Sequence, residues 1–141
     1  MKKTVSEEIK PKRKRSKGYS RVKGHSYEIR IAKELRELGF TGIVTSRSES
    51  KRADDNKQDL IDTEQKLPLG IQLKCVQNTP SYFKIREESS INNEDFVLIW
   101  NKQEKKEINI CSVGEAVIMD KKLFYKLIKN FIYGSNPVLI H

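Results

Sequence analysis

Long apolar runs, paired cysteines and glycine-rich phosphate loops are all missing from this sequence. No apolar segment approaches the roughly 18 residues of a membrane span, so we expect no membrane association. Cys75 and Cys111 are the only two cysteines, which excludes a disulfide framework and a thiol-based zinc site. Both stand in strand-like apolar runs, and we predict buried free thiols in a reducing compartment. The basic N-terminus has no following apolar stretch, so we do not expect it to be a secretory signal, and we expect a cytoplasmic protein.

Charge is abundant but unevenly distributed. The 141 residues include 28 Lys and Arg against 19 Asp and Glu, and the net charge of +9 indicates a polyanionic partner. Residues 1–23 hold 10 of the basic residues and 2 Glu, whereas residues 24–141 are close to neutral. Residues 1–22 also lack periodicity. The sequence therefore predicts a disordered basic arm over 1–22 and a single folded domain over 23–141.

Basic residues of the arm and of a central polar loop suit a DNA backbone, because each phosphate contact releases a counterion. The loop spans residues 47–57 and is a candidate flap over the nucleic acid. The predicted DNA-binding residues are Lys12, Arg13, Lys14, Arg15, Lys23, Arg47, Lys51 and Arg52. A solubilising tail or a nuclear-import signal has the same composition as this arm, and the loop residues are equally typical of a solvated surface.

Hydrophobic periodicity and turn residues predict the order helix, three strands, short helix, two strands, helix. The first helix spans 24–39, with Ser26 as its cap and Gly39 as its end. The remaining predicted elements are strands at 40–46, 59–61, 71–76, 95–100 and 107–111, a helix at 81–89, and a helix from a capping box at 112–115 to about 133. A polar turn is expected at 101–106. This order predicts an α/β fold with a mixed five-stranded sheet flanked by helices.

Two neighbouring strands in the middle of the chain carry the residues of a candidate active site. Asp59 begins one strand, and Gln72 and Lys74 share one face of the next because side chains alternate along a strand. Taken alone, Gln72 and Lys74 are also what a half-exposed strand would show.

Glu28 extends this set from the first helix. It lies on the same helical stripe as Ile31, Ala32 and Leu35, and burying an unpaired carboxylate is expensive. We predict that this helix packs over the sheet face that carries Asp59 and Gln72, so that Glu28 reaches them. Glu28 could equally be a partner for the dipole at the helix N-terminus.

An acid, an amide oxygen and a lysine in this arrangement favour metal-dependent phosphodiester hydrolysis. Mg²⁺ prefers oxygen ligands, typically one or two carboxylates with waters. Asp59 and Gln72 are the predicted inner ligands, and Glu28 is an outer ligand or holds a water. Lys74 would position the attacking water or stabilise developing charge on the phosphorus centre.

The same residues carry a resemblance to a known family. Residues 23–76 resemble archaeal-type Holliday junction resolvases, which belong to the PD-(D/E)XK, or restriction-endonuclease-like, nuclease superfamily. The matching segments, in order, are Lys23-Gly24-x-x-x-Glu28, Gly39-Phe40, Ser48-x-Ser50-Lys51-Arg52, Asp59-Leu60-Ile61 and Ile71-Gln72-Leu73-Lys74. The resemblance implies a restriction-endonuclease-like fold and a homodimeric endonuclease of DNA recombination and repair that cuts branched DNA symmetrically. It also implies Mg²⁺ as the cofactor, with Mn²⁺ as a substitute.

The family's catalytic residues carry over to Glu28, Asp59 and Lys74, and its loop serine to Ser48, with Ser46 and Ser50 as alternatives. Gln58 stands where the superfamily name has proline, which costs little. Gln72 stands where glutamate is usual, and an amide ligates a cation more weakly than a carboxylate. Two other functions therefore stay open: a different endonuclease on this scaffold, or an inactive DNA-binding protein.

Overall fold

Five strands form one mixed sheet with helices on both faces. The computed structural model describes residues 19–49, 58–89 and 95–134. Its elements are α1 (Tyr19–Glu37), β1 (Ile43–Thr45), α2 (Ser46–Glu49), β2 (Leu60–Asp62), β3 (Gly70–Val76), α3 (Tyr82–Glu88), β4 (Phe96–Lys106), β5 (Asn109–Met119) and α4 (Lys121–Gly134). The strands lie in the order β1-β2-β3-β4-β5, and only β3 and β4 are parallel. The predicted fold class, an α/β fold with a mixed five-stranded sheet flanked by helices, is confirmed.

Side-chain alternation along β3 and β4 divides the core into two layers. Ile71, Leu73 and Val97 lie on one face, where they pack with buried residues of α1 and with Leu123 of α4. Leu98 lies on the other face in a smaller cluster with residues of α3. Helix α3 connects the parallel strands β3 and β4 across that second face, as a crossover connection requires.

The first helix is longer at its N-terminus than predicted. It begins at Tyr19, so Ser26 lies inside the helix and residues 19–22 do not belong to a disordered arm. The Lys23 ammonium donates to the Gln103 side chain, a distant tertiary contact that helix periodicity does not reveal. At the other end the prediction is confirmed, because Gly39 follows the helix with a φ of 112° that glycine adopts readily.

The predicted turn at 101–106 and the predicted helix start at 112–115 are wrong. Strand β4 continues to Lys106, the chain turns at residues 107–108, and β5 runs from Asn109 to Met119. The capping-box residues have other partners: the Ser112 hydroxyl donates to Asn101, and Glu115 pairs with Arg30. The far end of the β4–β5 hairpin is polar because it projects beyond β3, and so its sequence resembled a loop.

Neither cysteine is buried as predicted. Cys75 is partly buried, and Cys111 is exposed on the edge strand β5. Burial of the Cys75 thiol raises its pKa. Among the helices in the described ranges, none combines the length and apolar character of a membrane span.

The short strands next to the candidate site are held by local polar contacts. The Asp62 carboxylate at the end of β2 accepts hydrogen bonds from the backbone amides of Glu64, Lys66 and Leu67, at 3.0, 2.8 and 2.7 Å. Gly42, just before β1, leaves room for this turn, because a Cβ there would come within 2.7 Å of the Asp62 carboxylate. The path of β2 into the site is thus fixed although the strand has only three residues.

Candidate active site

Asp59 occupies the point where β2 and β3 stop pairing. The two strands share a single register pair, Leu60 with Ile71. Next to it the Asp59 amide donates to the Ile71 carbonyl, and the Leu73 amide donates to Asp59 Oδ2 at 2.7 Å. The carboxylate thus takes the place of a strand partner for Leu73, and this hydrogen bond fixes one of its oxygens.

Gln72 presents a buried acceptor without a donor. Its side chain is 8% exposed, and Oε1 is buried with no hydrogen-bond partner among the described residues. A buried polar atom without a partner costs stability, and such groups are rare in folded proteins. Gln72 lies on the Leu98 face of the sheet, as their pairing in register shows. An oxygen in this condition is suited to a cation or a donor that the protein itself does not supply.

Lys74 lies on the same face of β3, two residues further along. It pairs in register with Trp100 of β4 and is partly buried. Within the part of the chain that the structure describes, no carboxylate forms an ion pair with its ammonium. Its positive charge nevertheless acts on Asp59, where it lowers the pKa. Lys74 therefore brings an uncompensated positive charge close to the Asp59 carboxylate.

Glu28 approaches from a direction that we did not predict. Helix α1 packs on the Ile71 and Leu73 face, opposite to Gln72, so the prediction that it covers the Gln72 face is wrong. The Glu28 side chain is buried, and its charge contributes to the pKa of Asp59. The two carboxylates are thus electrostatically coupled at the gap between β2 and β3.

Two basic side chains flank the Glu28 carboxylate. Arg47 Nη2 lies 3.5 Å from Oε1, and His25 Nδ1 lies 3.5 Å from Oε2. Both partners are partly exposed, so they contact the carboxylate from the solvent side. The residues predicted from the sequence do not include His25, although its position three residues before Glu28 on one helix is a signal for this contact.

The pKa of Asp59 is unusual for an aspartate. Burial of the carboxyl raises its pKa from 3.8 to about 6. The Leu73 hydrogen bond opposes this increase, the Glu28 charge adds to it, and Lys74 and Arg47 lower it. Desolvation disfavours the ionised form, and a cation bound at this position would favour it.

The side chains present are compatible with a magnesium site. Two carboxylates and one unpaired amide oxygen match the preference of Mg²⁺ for oxygen donors with few carboxylates. Over residues 19–49, 58–89 and 95–134 there is no group of three His, Cys, Asp or Glu side chains, so the donor set reaches three only if Gln72 is counted. Without the Gln72 amide, only two oxygen-donor side chains remain for a cation.

The remaining predicted residues are placed unevenly. Ser48 lies in the single-turn helix α2 directly after β1. The alternative serine Ser46 is buried, and its amide donates to the Asp59 carbonyl at 2.9 Å. Lys23 lies in α1 and contacts Gln103. The other predicted residues lie outside the described residues: Lys12, Arg13, Lys14, Arg15, Ser50, Lys51 and Arg52.

Comparisons of the chain with protein-family models, with curated proteins and with solved structures find no significant match.

Proposed function

We propose that this protein is a Mg²⁺-dependent, structure-selective DNA endonuclease that resolves four-way junctions by paired phosphodiester hydrolysis as a homodimer. The observation that carries the proposal is the unpaired, buried Oε1 of Gln72 on the strand next to Asp59, a buried carboxylate whose pKa the Glu28 charge raises. Lys74, on the same face of β3 as Gln72, supplies a positive charge that acts on Asp59. The basic N-terminal segment and the sequence resemblance over residues 23–76 support DNA as the substrate.

Each side chain has a separate task in this proposal. Asp59 and Gln72 would hold the cation, and Glu28 would be an outer ligand or would orient the attacking water. Bound there, Mg²⁺ supplies Lewis-acid stabilisation of the phosphoryl oxygens. The Lys74 ammonium stabilises the negative charge that develops on the phosphate during attack. The Leu73 amide keeps Asp59 in place, so the carboxylate needs little rearrangement on binding.

A substrate panel tests the proposal. Labelled four-way junction, nicked duplex and linear duplex are incubated with the protein and Mg²⁺, and the products are mapped on both strands. We expect paired symmetric cuts on the junction, little cutting of linear duplex, and no product with Asp59→Ala. Cuts at a duplex sequence or lesion would indicate another endonuclease on this scaffold. Absence of cleavage for every substrate, with Asp59→Ala identical to wild type, would refute an enzymatic function.

A second candidate function is a DNA-binding protein without activity. The observation that favours it is the amide at position 72, since the described residues contain no cluster of three acidic or other metal-ligating groups. Gln72→Glu separates the two candidates, because a carboxylate binds Mg²⁺ more strongly than an amide. In an enzyme this variant should cleave at lower Mg²⁺ concentrations than wild type. In a binding protein Gln72→Glu and Lys74→Ala should both leave every measured activity unchanged.

A further inference from the structure

We propose that the cleft between the N-terminal end of α1 and the projecting β4–β5 hairpin binds an unpaired nucleotide of the DNA substrate. The cleft has a volume of about 730 Å³, which is within the range of small-molecule binding sites. The inference rests on the proposed nuclease function, since it assigns the nucleotide beside the scissile phosphate. It would make the protein select DNA in which a base is already unstacked.

The cleft exists because β3 is shorter than its neighbour. Val76, the last residue of β3, pairs with Lys102, whereas β4 continues to Lys106 and turns back into β5. The end of β3 therefore leaves an open space beside the hairpin, and Lys23 and Gly24 of α1 close its far side. A register irregularity at Lys102 and Gln103 lies where β4 leaves its partner, a position at which bulges often redirect side chains.

Position connects the cleft to the candidate active site. Lys74 lines both the cleft and, with Gln72, the Leu98 face of β3. A DNA strand whose phosphate contacts the Lys74 ammonium would place an adjacent nucleotide at the mouth of the cleft.

The cleft is lined by both apolar side chains and hydrogen-bonding amides, which together can recognise a single base. Val76 and Ile110 offer apolar surface for the face of a base, and the Gln77 and Asn78 amides can both donate to and accept from a base edge. Gln77 and Asn78 are exposed, so their amide groups are accessible. An intact duplex cannot use this combination, because its base faces are stacked and only its groove edges are accessible.

Charge at the closed side favours a nucleotide over a neutral ligand. The Lys23 ammonium donates to the buried amide of Gln103, and no carboxylate in the described ranges forms an ion pair with it. An ammonium held by a neutral amide keeps its full charge available for a phosphate. Residues 1–18, which precede α1 in the chain, hold eight further Lys and Arg residues.

The test compares a single strand with a duplex of the same sequence in the presence of EDTA, so that binding is measured without hydrolysis. The substitution Ile110→Trp fills the cleft, and Ile108→Trp is its matched control in the exposed hairpin turn. We expect Ile110→Trp to weaken binding of the single strand roughly tenfold, with unchanged duplex affinity, and Ile108→Trp to behave like wild type. Fluorescence anisotropy of the labelled DNA gives the affinities, and thermal melting verifies that both variants fold.

Two further measurements keep the inference independent of a single variant. Trp100 is the only tryptophan, and its indole donates to the Val76 carbonyl at 3.0 Å, so single-stranded DNA in the cleft should change its fluorescence. Asn78→Ala should weaken the single strand more than the duplex. Equal losses for both DNA forms, or no loss in Ile110→Trp, would overturn the inference. If the single-strand preference holds while no substrate is cleaved, the cleft stands and the proposed nuclease function fails.

Discussion

The sheet has two halves, strands β1–β3 and strands β4–β5, and they differ in whether their buried side-chain amides have hydrogen-bond partners. In the β4–β5 half, Gln103 accepts from Lys23, and Asn101 accepts from Ser112. In the β1–β3 half, Oε1 of Gln72 is left without a partner among the described residues. Backbone pairing between strands is also more extensive in the β4–β5 half, since β4 and β5 share ten register pairs and β2 and β3 share one. Among these buried side-chain amides, the unpaired one therefore lies on the strand that carries Lys74, while the Tyr27 hydroxyl of α1 is a second buried group without a hydrogen-bond partner in the described residues.

Among these variants, Lys74→Ala, in the β1–β3 half, should have the largest effect, which is a loss of cleavage rate. Removal of a charge that acts on the transition state typically costs 10²–10³-fold in rate, and we expect cleavage of a junction to fall by about that factor. DNA affinity should stay within about twofold, because one phosphate contact is a small part of the total. Single-turnover cleavage and anisotropy measure the two quantities.

Lys102→Ala is the matched control for that experiment. Lys102 lies on the neighbouring strand β4, where its ammonium stacks on Trp100 and contacts the Gln77 carbonyl. We expect little change in cleavage rate. Equal rate losses in Lys74→Ala and Lys102→Ala would show that both lysines act only through general attraction of DNA.

Asp59→Asn should stabilise the metal-free protein at neutral pH. The pKa of Asp59 is raised from 3.8 to about 6 in the folded state, so the unfolded chain releases this proton at lower pH than the folded chain. Stability from this group is therefore present below about pH 4 and is lost as pH rises through about 6. At pH 7 the variant should be about 2–3 kcal/mol more stable than wild type, and the difference should vanish near pH 4. Urea unfolding with a chelator measures it.

Asp62→Asn, at the other end of β2 from Asp59, should change stability in the opposite direction. Desolvation is the largest single influence on the pKa of Asp62 and raises it, but three backbone hydrogen bonds together lower the pKa below its ordinary value. Its contribution to stability is present above that ordinary value and is lost as pH falls. Asp62→Asn should therefore be less stable than wild type at pH 7. A stabilising Asp62→Asn would contradict the electrostatic explanation for both residues.

Gln72→Met and Gln103→Met make the same substitution in each half of the sheet and should change the free energy of unfolding in opposite directions. At position 72 the change removes an unpaired buried oxygen, and we expect a gain of about 1 kcal/mol in unfolding free energy. At position 103 it removes the partner of Lys23, and we expect a loss of about 1 kcal/mol. Thermal or urea unfolding without divalent ions compares them. If both variants lose stability equally, Gln72 is satisfied in the protein and its oxygen is not reserved for a cation.

Sequence reasoning succeeded where short-range patterns decide the structure. Gly39, the alternation along β3 and the apolar run of β4 each specify their element locally, so the sheet and the pairing of Asp59 with the Gln72 strand were predictable. The face that α1 covers depends on how its buried residues pack against Ile71 and Leu73, which no local pattern encodes. The same holds for the length of the β4–β5 hairpin, because its far end has polar residues on both faces.

The ion pair between Arg30 of α1 and Glu115 of β5 tests whether the β4–β5 half influences the candidate site through α1. Its removal should have the smallest effect of these changes. It joins α1 to β5 by contacts of 2.5 and 3.3 Å, but both side chains are more than a third exposed. A double-mutant cycle with Arg30→Gln and Glu115→Gln should therefore give a coupling of about 0.2–1 kcal/mol in unfolding free energy. The Mg²⁺ dependence of cleavage should not change. Glu28 is held by burial of its neighbours Tyr27 and Ile31 in the α1 core, and not by this exposed contact. The reversed pair, Arg30→Glu with Glu115→Arg, is the control. If the single variants shift the Mg²⁺ dependence and the reversed pair restores it, β5 sets the position of Glu28.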